Sequence, residues 1–439
     1  MQHQSTVKEF SFEASEFSWD IAPGKTIQAW GFNRQVPGPE LRVKKGDTVV
    51  VKLHNKLGAS TMIHWHGVRL DAAMDGTDAV QQAIEPGETF EYRFKVPDAG
   101  TFWYHSHANE TVQMERGMYG SLIVEDDQDP AVDADRVLMI DDMKLNADYS
   151  FTQPSGFFGR VKERHDGREG DTLLINGKEQ PVISMHAGQV ERWRFINSSS
   201  ARYFLLHMEG KPFTIIATDG GLIEQPFTTD KLLITPGERY DVLAGPYHEG
   251  EVFSIESLPY NRMTFLKPVR QQFATVRVGA ELPSAASLPA SLRTIEQVAH
   301  RDAKINRTVK LSVGPSLKNG MNFLINNKTH INDKPVRVGE LQVWEINNAS
   351  LMDHPFHLHG FFFQVLEVNG VTPAYRAWKD TVNVGPRTKI KIAWMPDNRP
   401  GTWMYHCHII EHHAAGMMGH FSVTNGEAMP MPRSHHHHV

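Results

Sequence analysis

Histidine and a single cysteine carry the chemistry of this chain. Ten of its 24 histidines fall into four clusters: His64-x-His66, His105-x-His107, His354-x-x-His357-x-His359 and His406-Cys407-His408-x-x-x-His412. In an extended strand, residues two apart point the same way and the residue between them points the other way. Each His-x-His pair therefore offers two imidazoles to one site, and the four pairs offer eight. The same alternation turns the sulfur of Cys407 away from His406 and His408. His354 lies an odd number of positions before His357, with Pro355 between them, so it need not join the eight. Cys407, His354, His412 and a nearby methionine then make a second set. Two imidazoles, a soft thiolate and a weak axial thioether are the ligands of a blue copper centre, whereas carboxylates would favour magnesium or calcium.

Blander readings compete with this one. A lone His-x-His in a strand is as often structural as functional, and the isolated His186, His207, His248, His300 and His330 read as surface or core residues. Zinc is the main rival for any one cluster. It takes four ligands in a structural site, or three and a water in a catalytic one. Ten histidines and a cysteine in four clusters exceed what one or two zinc ions need.

The elements that must position these side chains are strands. Three segments share one pattern, an Asn followed 12 or 13 residues later by a Gly that opens an alternating run ending in Asn. They run from Asn33 to Gly46 and Asn55, from Asn176 to Gly188 and Asn197, and from Asn326 to Gly339 and Asn348. A further repeat links only the first and last copies. Gly100 to His107 parallels Gly401 to His408, and His64-Trp65-His66-Gly67 parallels His357-Leu358-His359-Gly360. Evenly spaced short strands with Gly/Pro turns predict an all-β protein of three Greek-key β-sandwich domains, the first and third related by duplication. The expected boundaries are 1–127, 128–285 and 286–427, the second break falling in the Pro/Ala/Ser-rich stretch from Leu282 to Ser291. Residues 428–439 form a tail in which His435 to His438 read as an expression tag.

Composition narrows the partners. The chain has 439 residues, 40% hydrophobic and 22% charged, with a formal net charge of −6, which gives no long-range attraction to nucleic acid or anionic lipid. No apolar run reaches the roughly 18 residues of a membrane helix. With one cysteine the fold is held without internal disulfides. Met1-Gln2-His3-Gln4 lacks the basic and apolar segments of a signal peptide, as expected of a cytosolic protein or of a mature form whose export signal has been removed.

In that order, His-x-His-Gly, His-x-His, His-x-x-His-x-His and His-Cys-His-x-x-x-His-x-x-x-x-Met resemble the four copper motifs of three-domain multicopper oxidases of the bacterial laccase-like kind. The similarity extends from about Gly31 to Val423. The resemblance implies three cupredoxin-like domains and four copper ions: one type 1, one type 2 and a type 3 pair. It assigns His354, Cys407 and His412 to the type 1 copper with Met417 axial, and His64 and His357 to the type 2 copper. One type 3 copper takes His66, His105 and His408, and the other His107, His359 and His406. Asp75-Gly76 resembles the family's Asp-Gly, whose carboxylate assists proton delivery, and Trp378-Lys379-Asp380-Thr381 resembles a further family segment. The second family acid, three or six residues after the cysteine, is replaced here by Ile410 or His413, so Glu411 or His413 is expected to take its place.

The implied activity is that of a laccase. Phenols or aromatic amines give single electrons to the type 1 site, Cys407 passes them to His406 and His408, and dioxygen is reduced to water. A metallo-oxidase acting on Cu(I) in copper tolerance is the second reading. Met352-Asp353 before His354 and 18 methionines favour it, and the absence of a long Met-rich insertion counts against it. A non-catalytic copper-binding protein would not need paired histidines on both sides of Cys407. A copper nitrite reductase would lack the complete set of type 3 pairs. Three full domains in one chain can close the site without partners, so a monomer is expected, and the resemblance implies a place in the periplasm or outside the cell.

Overall fold

Alternation of apolar and polar side chains marks the outer strands, while the histidine-bearing strands are buried along almost their whole length. Along Thr48–Asn55, Val49, Val51 and Leu53 are fully buried while Lys52 faces solvent. The computed structural model of the protein describes residues 4–426; the tail read as a His tag and Met1 to His3 lie outside the described residues. The strands build three successive β-sandwiches, as the repeats predicted, of the cupredoxin-like kind that the resemblance implied. In the first, the sheet Lys25–Phe32, Val7–Ala22, Thr48–Asn55, Thr89–Lys95 faces the sheet Leu41–Lys44, Tyr119–Glu125, Gly100–Ser106, Ile63–His66. The third repeats this plan, with Gly401–Cys407 and His354–Leu358 in the places of Gly100–Ser106 and Ile63–His66. The second packs a seven-stranded sheet on a five-stranded one. We place the domain boundaries in the segments between these pairs of sheets, 126–133 and 282–306.

The repeated asparagines explain why each sandwich closes in the same way. Asn55, Asn197 and Asn348 are buried at the ends of equivalent strands. In each, the amide N–H groups donate to a carbonyl four or five residues on and to a carbonyl of a distant segment, and the amide oxygen accepts the backbone N–H two residues on. Asn33, Asn176 and Asn326 take left-handed backbone angles of φ 55°, 50° and 50°, which Asn tolerates better than other non-glycine residues. Each of their side-chain oxygens accepts a backbone N–H from the neighbouring strand.

Register then sets the histidines. His64 lies opposite His105 across one antiparallel pair, and His357 lies opposite His406 across the duplicated pair. One apolar cluster runs continuously through the first and third sandwiches and includes Trp65, Tyr104, Trp344, Phe356 and Trp403. The two histidine-bearing sandwiches are thereby joined through one core. The second sandwich has its own core around Trp193, Phe195 and Phe273. Three short α-helices, Glu110–Gln113, Gly156–Asp166 and Ile410–Ala414, complete the described residues, and none is long and apolar enough to cross a membrane.

Asn348→Ala removes the amide that donates to the carbonyls of Met352, Val384 and Gly385 and accepts the N–H of Ser350, leaving Met352 only the Ser350 hydroxyl. The expected cost is about 2–4 kcal/mol, read as a lower urea midpoint in the fluorescence of the buried Trp344 and Trp394. An unchanged midpoint would contradict this role for the corner.

Candidate metal centres

Eight imidazoles meet between the first and third sandwiches, two each from the segments around residues 64–66, 105–107, 357–359 and 406–408. Their nitrogens divide into an outer and an inner set. On the outside, His64 Nδ1 donates to the Asp75 carbonyl at 2.8 Å, His105 Nδ1 to the Ser106 carbonyl at 2.9 Å and His406 Nδ1 to the Cys407 carbonyl at 2.8 Å. His357 Nδ1 donates to the Asp380 carbonyl at 3.0 Å, and the carboxylates of Asp75 and Asp380 accept from His359 Nδ1 at 2.9 Å and His66 Nε2 at 3.0 Å. A carbonyl or carboxylate can only accept, so each of these outer nitrogens carries the proton.

The inner nitrogens are therefore bare lone pairs. His64 Nε2, His66 Nδ1, His105 Nε2 and His357 Nε2 are buried without a hydrogen-bond partner, and His359 Nε2 and His406 Nε2 face each other at 3.0 Å. Burial pushes His66, His105, His359, His406 and His408 well below the ordinary imidazole range. Bare nitrogens crowded this closely and kept unprotonated are what a cluster of borderline-soft metal ions requires. Three sets of three bring their ligand atoms within 4.8 Å of one another: His64–His66–His105, His64–His357–His359 and His107–His359–His406. His408 lies beside this group, its ring 5.0 Å from that of His66 and 5.6 Å from that of His105.

Cys407 lies on the opposite face of the same strand end. Its Sγ is 3.6 Å from His354 Nδ1 and 3.6 Å from His412 Nδ1, and the two nitrogens are 3.2 Å apart. The outer nitrogens are again occupied. His354 Nε2 meets Ser350 Oγ at 3.0 Å, and His412 Nε2 donates to the His165 carbonyl at 3.1 Å. Burial pushes the Cys407 thiol up to about 12, so a thiolate there calls for a cation beside it. Met417 is fully buried, and its carbonyl accepts the Cys407 N–H at 3.1 Å. The donor set fits copper at this site and at the eight-histidine site.

The two residues expected to replace the second acid part company. His413 stacks on His406 at 4.2 Å, and its Nδ1 donates to Glu110 Oε2 at 2.9 Å. Glu411 is turned toward Gly167 and Arg168, both carboxylate oxygens are buried without a hydrogen-bond partner, and burial raises its carboxyl to about 7. Glu110 was not singled out from the sequence, although its place three residues after His107 on a helical turn was the available signal. Its Oε1 is 3.2 Å from His107 Nε2. Burial would raise Glu110, yet His107 and His413 outweigh it and hold the carboxyl down at about 2. The second sandwich, which carries none of the expected ligands, nonetheless touches the site. A Cβ on Gly237 (φ +88°) would lie 2.9 Å from His408 Cδ2 and 3.0 Å from His66 Cε1.

Comparison with known proteins agrees with this geometry. Family models described as Multicopper oxidase match residues 13–129, 135–258 and 289–427. The chain is 31% identical to the Multicopper oxidase mco of Staphylococcus aureus, across 95% of this chain and 89% of that one. A solved multicopper oxidase from Campylobacter jejuni, described as a metallo-oxidase, superposes with a TM-score of 0.83 at 30% identity, across 95% of this chain and 91% of that one. A laccase from Pediococcus acidilactici superposes with a TM-score of 0.82 at 27% identity, across 95% and 90%.

Burial holds His354 at about 3 and His107 at about 4, against 6.5 for a free imidazole. Below pH 6.5 the unfolded chain takes up protons that the folded chain refuses. The stability present above that pH is therefore lost as pH falls toward 4, by up to about 1.4 kcal/mol per pH unit for each such histidine. The metal-free protein is expected to lose thermal midpoint steeply between pH 7 and 4.5. A midpoint that stays level or rises over that range would contradict the protonation pattern.

Proposed function

The chain belongs to the multicopper oxidase family, and from that premise we propose that it takes single electrons from a small reductant at the Cys407 site and gives them to dioxygen at the eight-histidine site, forming water. The ligand assignment we propose follows the family. His354, Cys407, His412 and Met417 hold the type 1 copper, and His64 and His357 hold the type 2 copper. His66, His105 and His408 hold one type 3 copper, and His107, His359 and His406 the other. Bound copper supplies reversible one-electron chemistry and the capacity to reduce dioxygen.

The protein does the rest. Cys407 is joined by one peptide bond to His406 and by another to His408, so a short covalent path links the two sites. Asp75 Oδ2 keeps the proton of His359 on Nδ1, away from the inner face. Glu110 Oε2 holds the proton of His413 Nδ1 beside His406, which favours the His413–Glu110 pair over Glu411 as the second proton-handling group. All the proposed ligands come from one chain, which supports a monomer.

One observation carries the choice of reductant. His412 has no exposed surface, and its outer nitrogen is capped by the His165 carbonyl at the end of the Gly156–Asp166 helix. A flat aromatic ring has no imidazole edge to lie against. A compact metal ion such as Cu(I) needs no such edge, and the metallo-oxidase from C. jejuni is a precedent among the neighbours. A cavity of about 340 Å³ favours the laccase reading as the second one. It is lined by Tyr203, Tyr260 and Arg262, and Tyr260 donates to Asp353, the residue before His354.

Oxygen uptake by the copper-loaded protein is expected to be fast with Cu(I) and slow with a methoxyphenol unless Cu(II) is added. Fast phenol oxidation indifferent to added Cu(II) and to a copper chelator would move the assignment to laccase. Uptake with neither reductant would leave a copper-binding protein.

A further inference from the structure

His66 differs from the other trinuclear histidines whose outer nitrogen is paired. It turns Nδ1 inward, where His64, His105, His357, His359 and His406 turn Nε2 inward. The group that imposes this is the Asp380 carboxylate, whose Oδ1 accepts from His66 Nε2 at 3.0 Å. The backbone carbonyl of the same residue accepts from His357 Nδ1 at 3.0 Å. Asp380 therefore aims two of the eight rings, one from each duplicated domain.

Asp380 is in turn held by the second domain. Arg239 Nη1 donates to Asp380 Oδ1 at 2.7 Å and Nη2 to Oδ2 at 2.6 Å, a bidentate pair with no exposed surface on the arginine. Its three remaining N–H groups donate to the carbonyls of Thr101 at 3.0 Å, Gly237 at 3.0 Å and Asp219 at 3.1 Å. All five guanidinium donors are thus used, on partners in all three domains. Asp219 also accepts the backbone N–H groups of Asp380 and Thr381, each at 3.2 Å, which fixes the loop that presents the carboxylate. A lysine could keep the charge here but not the paired donors.

We propose that Arg239 is a positioning residue for the trinuclear site: it fixes Asp380 so that His66 presents Nδ1 and His357 presents Nε2 to the metal. Docking of the ligand-free second domain thereby becomes a condition for loading the cluster shared by the other two. This rests on the copper reading of the eight histidines. Outer groups of this kind change metal affinity by about ten- to a hundredfold.

The test compares Arg239→Lys and Asp380→Asn with the unaltered protein, each loaded with copper and dialysed against a chelator. Copper per chain, blue absorption and the electron paramagnetic resonance spectrum are then read. Both variants are expected to keep the blue absorption and lose copper from the eight-histidine site at least tenfold more readily. Unchanged retention and an unchanged spectrum in Arg239→Lys would overturn the proposal. If Arg239→Lys does not fold, Asp380→Asn decides: selective copper loss supports the proposal and full retention overturns it. Failure of both variants to fold also overturns it, since the pair would then be scaffold alone. Failure of the unaltered protein to hold copper at the eight-histidine site would instead overturn the functional reading beneath it.

Discussion

Eight imidazoles buried this close together repel one another when charged, so the packing favours neutral rings with bare inner nitrogens. That constraint governs the rest of the molecule. It favours an acceptor behind each ring, and for six of the eight the fold supplies one, from backbone carbonyls or from two buried carboxylates, Asp75 and Asp380. It demands strands in register, which the His64–His105 and His357–His406 pairings provide. It also needs two sandwiches held firmly together, and the first and third share one continuous apolar core.

Alternation along a single strand end then separates two chemistries that must stay close. His406 and His408 face the large cluster, while Cys407 faces His354 and His412. The second sandwich closes both sites from outside. Gly237 packs against His408 and His66, Arg239 grips Asp380, and the helix ending at Asp166 brings the His165 carbonyl over His412. The domain without copper motifs is the wall on which both sites rest.

What the sequence made legible was local. His-x-His spacing and strand parity grouped eight histidines in pairs and set Cys407 apart from them, because side-chain direction in a strand follows from position alone; His412 lies on the Ile410–Ala414 helix, where that rule does not reach. The three asparagine corners were legible as a repeat before their hydrogen bonds were known. The supporting groups were not, because they act across long chain separations: Arg239 reaches Asp380 141 residues away, and Glu110 reaches His413 303 residues away. No periodicity marks such a partner. Glu411 and His413 could not be told apart from spacing either, since only the packing of the Ile410–Ala414 helix turns one toward Arg168 and the other toward His406.

In the proposed function Cys407 is the one link between reductant and dioxygen, so its replacement by serine is the decisive variant. Copper analysis, visible absorption and oxygen uptake would be measured on the same loaded sample. Cys407→Ser is expected to give a folded protein without blue colour, with copper still bound at the eight-histidine site and no oxygen consumption with any reductant. Oxygen consumption near the rate of the unaltered protein would contradict it and place the electron path elsewhere.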